Sequence, residues 1–103
     1  MSKATILLCP RDVMIEAPFL SQRDAAKLIG DSLAQYTNAG TIETEYTGED
    51  AAEEMFDLTN NPSRQEEREK LYGRGRSVSV GDVIEVDGNK WACLSFGWVW
   101  ISG

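Results

Sequence analysis

Val83-Ile84-Glu85-Val86-Asp87-Gly88-Asn89-Lys90-Trp91 carries a β-hairpin in its local pattern. Asp-Gly between two short apolar runs suits a two-residue turn, because both central residues of the tightest hairpin turns adopt positive φ. Such a turn sets a register: Val86 faces Asn89, Glu85 faces Lys90 and Ile84 faces Trp91. The result is one opposite-charge pair and one aliphatic–aromatic pair, both stabilising across antiparallel strands. Beyond Gly97, Trp98-Val99-Trp100-Ile101 is expected to form a final strand, with the two indoles on one face and Val99 and Ile101 on the other. Val78 and Val80 alternate ahead of Gly81-Asp82, so the tryptophan-rich β region is expected to run from Ser77 to Ile101.

Upstream, Thr5-Ile6-Leu7-Leu8 reads as a first strand closed by Cys9-Pro10. Between Arg11 and Leu20 the pattern is irregular; Val13-Met14-Ile15 could pair as a short strand, and Pro18 argues against helix there. Ser21 is an N-cap candidate, with Asp24 in an approximate capping-box position. Ala25, Leu28, Ile29, Leu33 and Tyr36 then recur at helical spacing, with a stop expected at Asn38-Ala39-Gly40. A binding groove along that stripe is conceivable, but core packing explains it without further assumption.

Thr41 to Thr47 alternates Ile42, Thr44 and Tyr46 against Glu43 and Glu45, the pattern of a half-exposed strand whose charged side meets water. Thr47 is expected to cap a second helix from Gly48 to about Thr59, apolar at Ala51, Ala52, Met55, Phe56 and Leu58. Asn60-Asn61-Pro62 ends it, and Ser63-Arg64-Gln65-Glu66 has the form of a capping box for a short charged helix reaching Tyr72. Gly73-Arg74-Gly75-Arg76 is a basic loop, expected to pair with the chain's own carboxylates. Together these elements predict one α+β domain over residues 1–103: an antiparallel sheet with a C-terminal hairpin or meander and two to three helices packed on it.

Composition narrows function. The chain has 103 residues, a formal charge of −7 and no histidine. Without histidine it lacks the commonest general base, the usual partner of a nucleophilic Ser or Cys, and the commonest metal ligand. No motif calls for a cofactor or metal, and no enzymatic activity is expected. The acidic balance disfavours direct nucleic-acid binding, which needs clustered Lys and Arg. No apolar run has the length of a membrane span or a secretion signal, so a cytoplasmic protein is expected. Cys9 and Cys93 read as buried thiols, with a Cys9–Cys93 bridge left open.

Charge is also unevenly placed. From Leu28 to Ser63 there is no Lys or Arg, while Asp31, Glu43, Glu45, Glu49, Asp50, Glu53, Glu54 and Asp57 contribute eight negative charges. Carboxylates spaced along a strand and helix can imitate a nucleic-acid backbone and enter a basic groove on another protein. A solvated face that keeps the protein soluble is the plainer reading. Trp98 and Trp100 are candidates for an interface hot spot, and the competing use of indoles is core. Glu43 and Glu45 could in principle do acid–base or metal chemistry, but nothing around them supplies a nucleophile or ligand spacing.

One resemblance adds to this. Gly75-Arg76-Ser77-Val78-Ser79-Val80-Gly81-Asp82-Val83-Ile84-Glu85-Val86-Asp87-Gly88, with Trp91-Ala92-Cys93 and Gly97-Trp98, resembles the C-terminal "R-S-hydrophobic-S-V-G-D-V … C … G-W" segment of small accessory proteins of plasmids, integrative elements and phages. The resemblance covers about a quarter of the chain and implies a mobile-element origin. The expectation that follows is a non-enzymatic inhibitor of anti-CRISPR or antirestriction type. Its partner would be a host protein or ribonucleoprotein complex with a basic nucleic-acid-binding groove. Glu43, Glu45, Glu49, Asp50, Glu53, Glu54 and Asp57 would supply charge, and Trp98 or Trp100 the hot spot. The rival expectation is a regulatory or scaffolding module of the element that acts through the tryptophan-rich hairpin.

Overall fold

Asp87 and Gly88 take φ values of 50° and 91° in the computed structural model, which describes residues 1–73 and 75–102, so the turn is of the positive-φ type that Asp-Gly favours. It joins strands Val83–Val86 and Asn89–Leu94 in the expected register, with Glu85 opposite Lys90 and a 3.2 Å ion pair between them. These strands, β3 and β4, belong to a five-stranded antiparallel sheet with β1 (Ser2–Leu8), β2 (Thr37–Thr44) and β5 (Gly97–Ser102). The spatial order is β2-β1-β3-β4-β5. The first strand therefore sits inside the sheet, and β2 and β5 form its edges.

Alternation along the strands sorts apolar side chains to two faces. Ala4, Ile6, Ile42, Ile84 and Val86 pack under α3 (Gly48–Asn60), against its Ala51, Ala52, Met55 and Leu58. Trp91 and Trp98 border the same cluster. On the other face Val83, Ala92 and Leu94, flanked by Val99 and Ile101, pack against α1 (Arg11–Glu16) and α2 (Gln22–Ser32) through Val13, Ala25 and Ile29. Each fully buried Ile, Leu or Met contributes about 1.5–3 kcal/mol, so both clusters are needed to hold so small a fold. A short α4 (Gln65–Leu71) follows α3. The domain is α+β with four α-helices among the described residues, against the two to three expected.

The additional helix is α1, which takes the place of a short strand at Val13-Met14-Ile15. Pro10 stands at its N-cap position, and the Met14 amide bonds to the Pro10 carbonyl. Pro18 does not break it, because the α-helix has ended by Glu16 and Pro18 falls in the first turn of the following 3-10 segment, Ala17–Phe19. There the missing N–H costs nothing. A second correction concerns Gly40. Ser21 does cap α2 as expected, accepting from the Asp24 amide at 3.2 Å. But α2 ends at Ser32, and Gly40 lies inside β2, where φ of 140° accommodates a bulge. The register steps from Ile6↔Gly40 to Leu7↔Asn38, leaving Ala39 unpaired.

Among its described residues the connection from α4 to β3 has no regular structure until Val83, so the expected β region begins later than Ser77. It is nevertheless pinned. The Asp82 carboxylate, 0% exposed, accepts from the amides of Cys9 and Ser79, both at 2.8 Å. The Arg76 guanidinium donates to both of its oxygens, at 2.6 and 2.7 Å. This pairing answers the expectation for the basic loop as far as Arg76, while Arg74 lies outside the described residues. Main-chain bonds between Cys93 and Gly81–Asp82 extend the clasp to β4, and the Tyr36 hydroxyl donates to the Gly81 carbonyl. Cys9 and Cys93 are free and buried. Desolvation, reinforced by the Asp82 charge, pushes each thiol from its ordinary 9.0 up to about 12.

Candidate partner-binding surface

The acidic stretch becomes chiefly the outer side of α3. Thr47 occupies the N-cap position, but its hydroxyl makes no capping bond; Glu49 and Asp50 in the first turn complement the helix dipole instead. Because Ala51, Ala52, Met55, Leu58 and Thr59 turn inward, Glu49, Asp50, Glu53 and Asp57 are left exposed and Glu54 half-buried. Asp50, Glu53, Glu54 and Asp57 line a shallow groove of about 240 Å³ together with Tyr46. Tyr46 was expected on the buried side of a strand reaching Thr47. The strand stops at Thr44, whose hydroxyl accepts from the Tyr46 amide at 3.2 Å, and this bend leaves the ring half exposed.

Glu43 and Glu45 do not join this row simply. Ile42 and Thr44 are buried toward α3, so the pleat sends Glu43 to the opposite face of the sheet, across from Lys3 on β1. Glu45 lies just past the strand end. Among the described residues, no group of three or more carboxylates and thiols is placed to hold a metal ion.

Arg64 is the residue whose role was not foreseen. The capping box expected at Ser63 is not formed; Asn61 caps the turn instead, its side-chain oxygen accepting from the Ser63 amide at 3.0 Å and the Ser63 hydroxyl at 2.8 Å. That turn delivers Arg64 to the flank of α3. Its guanidinium makes two bonds to Glu54, at 2.8 and 2.9 Å, one to Asp57 at 2.8 Å and one to Glu67 at 2.8 Å. Hydrogen bonds donated to Glu54, Glu67 and Asp57 hold Arg64 firmly charged, and the same contact lowers the Glu67 carboxyl. Three carboxylates around one cation still leave a local excess of negative charge. Arg68 is likewise taken up internally, donating to the carbonyls of Thr59, Gly73 and Gly75 and lying over the Tyr72 ring.

The two candidate indoles part company. Trp98 is half-buried, edge-on to Phe56 at 6.5 Å, and its Nε1 donates to Glu53 at 2.7 Å. It therefore fastens β5 to α3 and occupies one carboxylate of the acidic row. Trp100 is 52% exposed, with Nε1 donating to Asn89 at 3.0 Å. Phe96, in the turn before β5, is 71% exposed.

Chemically the arrangement offers a negative, slightly concave helix face with one half-exposed aromatic ring. Among the described residues no helix is long and apolar enough to cross a membrane. Comparison with family models, with curated proteins and with solved structures finds no match to the chain.

Proposed function

We propose that the protein is a non-enzymatic binding module whose α3 face docks on a basic groove of a partner. The observation that carries this reading is the clustering of Asp50, Glu53, Glu54 and Asp57 around the Tyr46 groove, whose described lining residues include no cation, while Arg64 beside it is already engaged by three carboxylates. Such a surface attracts a cationic partner over about 10 Å at about 0.1 M salt and accelerates its encounter. Taken with the resemblance of Gly75–Trp98 to mobile-element accessory proteins, the reading extends to inhibition of a host nucleic-acid-handling defence complex, with the carboxylates standing in for phosphates.

The test is charge reversal in the intact protein. Glu49→Lys with Asp50→Lys inverts two exposed charges that make no internal hydrogen bond or ion pair among the described residues; the variant gives up the favourable dipole interaction of the first turn, about 0.3–1 kcal/mol per residue, so its fold is verified by circular dichroism and thermal unfolding before binding is compared. Binding to an isolated partner should weaken about tenfold or more, since roughly 1.4 kcal/mol from two reversed contacts suffices. The partner should also be released as ionic strength rises and compete with DNA or RNA. Binding insensitive to salt and to both substitutions would overturn the reading.

A second reading is favoured by Trp100 and Phe96, which stand exposed along and beside edge strand β5. A regulatory or scaffolding partner would then dock on the hairpin. In that case Trp100→Ala abolishes binding and the two lysine substitutions do not.

A further inference from the structure

The second edge of the sheet carries a more specific possibility. β2 is unpaired on its outer side, and in an antiparallel strand every second residue directs its N–H and C=O away from the existing neighbour. Beside that edge runs a groove of about 320 Å³ between the end of β2 and the α3–α4 pair. Ile42, Met55 and Leu58 lie beneath its floor but are 4%, 1% and 1% exposed, so its accessible apolar surface comes from Tyr46 and Leu71, each 50% exposed, in its walls. Glu43 borders it from β2 with its side chain on the opposite face of the sheet, so Glu45, Glu54 and Glu67 supply the carboxylates; among the described lining residues Arg64 is the one cationic side chain, and its guanidinium is bonded to Glu54 and Glu67.

We infer that this groove receives an extended, cationic segment of the partner, which adds to β2 as a sixth strand. The inference rests on the docking reading above and names its mode of recognition. An extended chain presents alternate side chains to opposite sides. Main-chain bonds to β2 then supply affinity, one apolar side chain enters the groove, and flanking Lys or Arg residues reach the carboxylates. The charge selects the occupant: an acidic or neutral strand gains nothing from three carboxylates set against one guanidinium, and a second copy of this chain, at −7, brings repulsion. β5, the other edge, carries no charged side chain from Gly97 to Ser102 and so offers no such selection. The straight part of β2 beyond its bulge, Thr41 to Thr44, spans roughly 13 Å at about 3.3 Å per residue, enough for a short segment.

The experiment uses the full chain and a terminally blocked peptide in which leucine alternates with lysine. Backbone amide shifts are followed by NMR and affinity by fluorescence anisotropy. Shifts should concentrate from Thr41 to Tyr46 and at Leu71. Methylating alternate peptide nitrogens should weaken binding by about tenfold, the loss of one or two main-chain bonds. Leu71→Ala should weaken it severalfold without unfolding a protein in which that side chain is half exposed, and a glutamate-for-lysine peptide should not bind. Failure of the lysine peptide to bind would overturn the proposal. So would binding indifferent to N-methylation, or shifts confined to the outer side of α3, and that last result would leave the acidic-face reading standing. If instead partner binding ignores Glu49→Lys and Asp50→Lys, the underlying reading fails whatever the peptide does.

Discussion

Replacing Asp82 with alanine deletes a carboxylate that has no solvent exposure and four bonds of 2.6–2.8 Å. Left behind are the amides of Cys9 and Ser79 and the guanidinium of Arg76, whose side chain is 34% exposed. Breaking a buried pair by removing one partner costs about 3–5 kcal/mol, and each unsatisfied amide adds about 1–3 kcal/mol if water cannot reach it. Because Arg76 is partly open to solvent, water can reach the vacated site, and these terms overlap rather than sum. A net loss of ~3–4 kcal/mol is expected, equal to a fall in Tm of roughly 12–30 °C for a chain of this size. Urea unfolding followed through the three tryptophans measures it directly. Asp82→Asn should cost nearly as much, since its NH2 group would face other donors. Arg76→Ala leaves the carboxylate to its backbone donors, and in the double variant the two losses should fall short of additivity by ~1.5–3 kcal/mol. A loss under about 1 kcal/mol for Asp82→Ala, or strict additivity, would refute the view that this cluster holds the 75–82 segment to β1 and β4.

Both thiols titrate higher in the fold than in the unfolded chain, near 12 against an ordinary 9.0. Their contribution is therefore complete below pH 9 and is lost as pH rises from 9 toward 12. Stability should fall by up to ~1.4 kcal/mol per pH unit per thiol in that window, and Cys9→Ala should flatten the slope measured by urea midpoints. Gly88→Ala meets no atom within 4 Å, so its cost is conformational, ~1–2 kcal/mol at φ 91°, and a neutral result in thermal unfolding would contradict the turn geometry. Trp98→Phe keeps the ring against Phe56 but loses the bond to Glu53; a loss of ~0.5–1.5 kcal/mol is expected, and Glu53→Gln in that background should add almost nothing.

The hairpin was legible because everything that determines it is local: Asp87-Gly88 sets the turn, and Glu85 and Lys90 set the register. The apolar period of α3 was readable for the same reason. Pro18 misled because a proline ends a helix only if the helix has reached it, and α1 stops short. Gly40 misled because a glycine past a helical stripe looks like a stop, whereas only pairing with Ile6 reveals that it sits in a bulged strand. The acidic run was visible as composition, but its neutralisation was not. Arg64 meets Glu54 and Asp57 across the Asn61 turn, ten and seven residues away, and no periodic pattern announces such a contact. The exposure of Tyr46 likewise depended on where β2 ended, a boundary where the Tyr46 amide donates to the Thr44 hydroxyl.

Irregularities mark both edge strands: β2 bulges between Asn38 and Gly40, and β5 shifts register where Trp91↔Trp100 gives way to Lys90↔Ser102. An unbroken edge is a template on which identical strands add without limit, the geometry of fibrils. Here each kink shortens the straight run open to a newcomer, so the protein can be concentrated with less risk of stacking into filaments. Straightening β2 by deleting Ala39 should bring that hazard back.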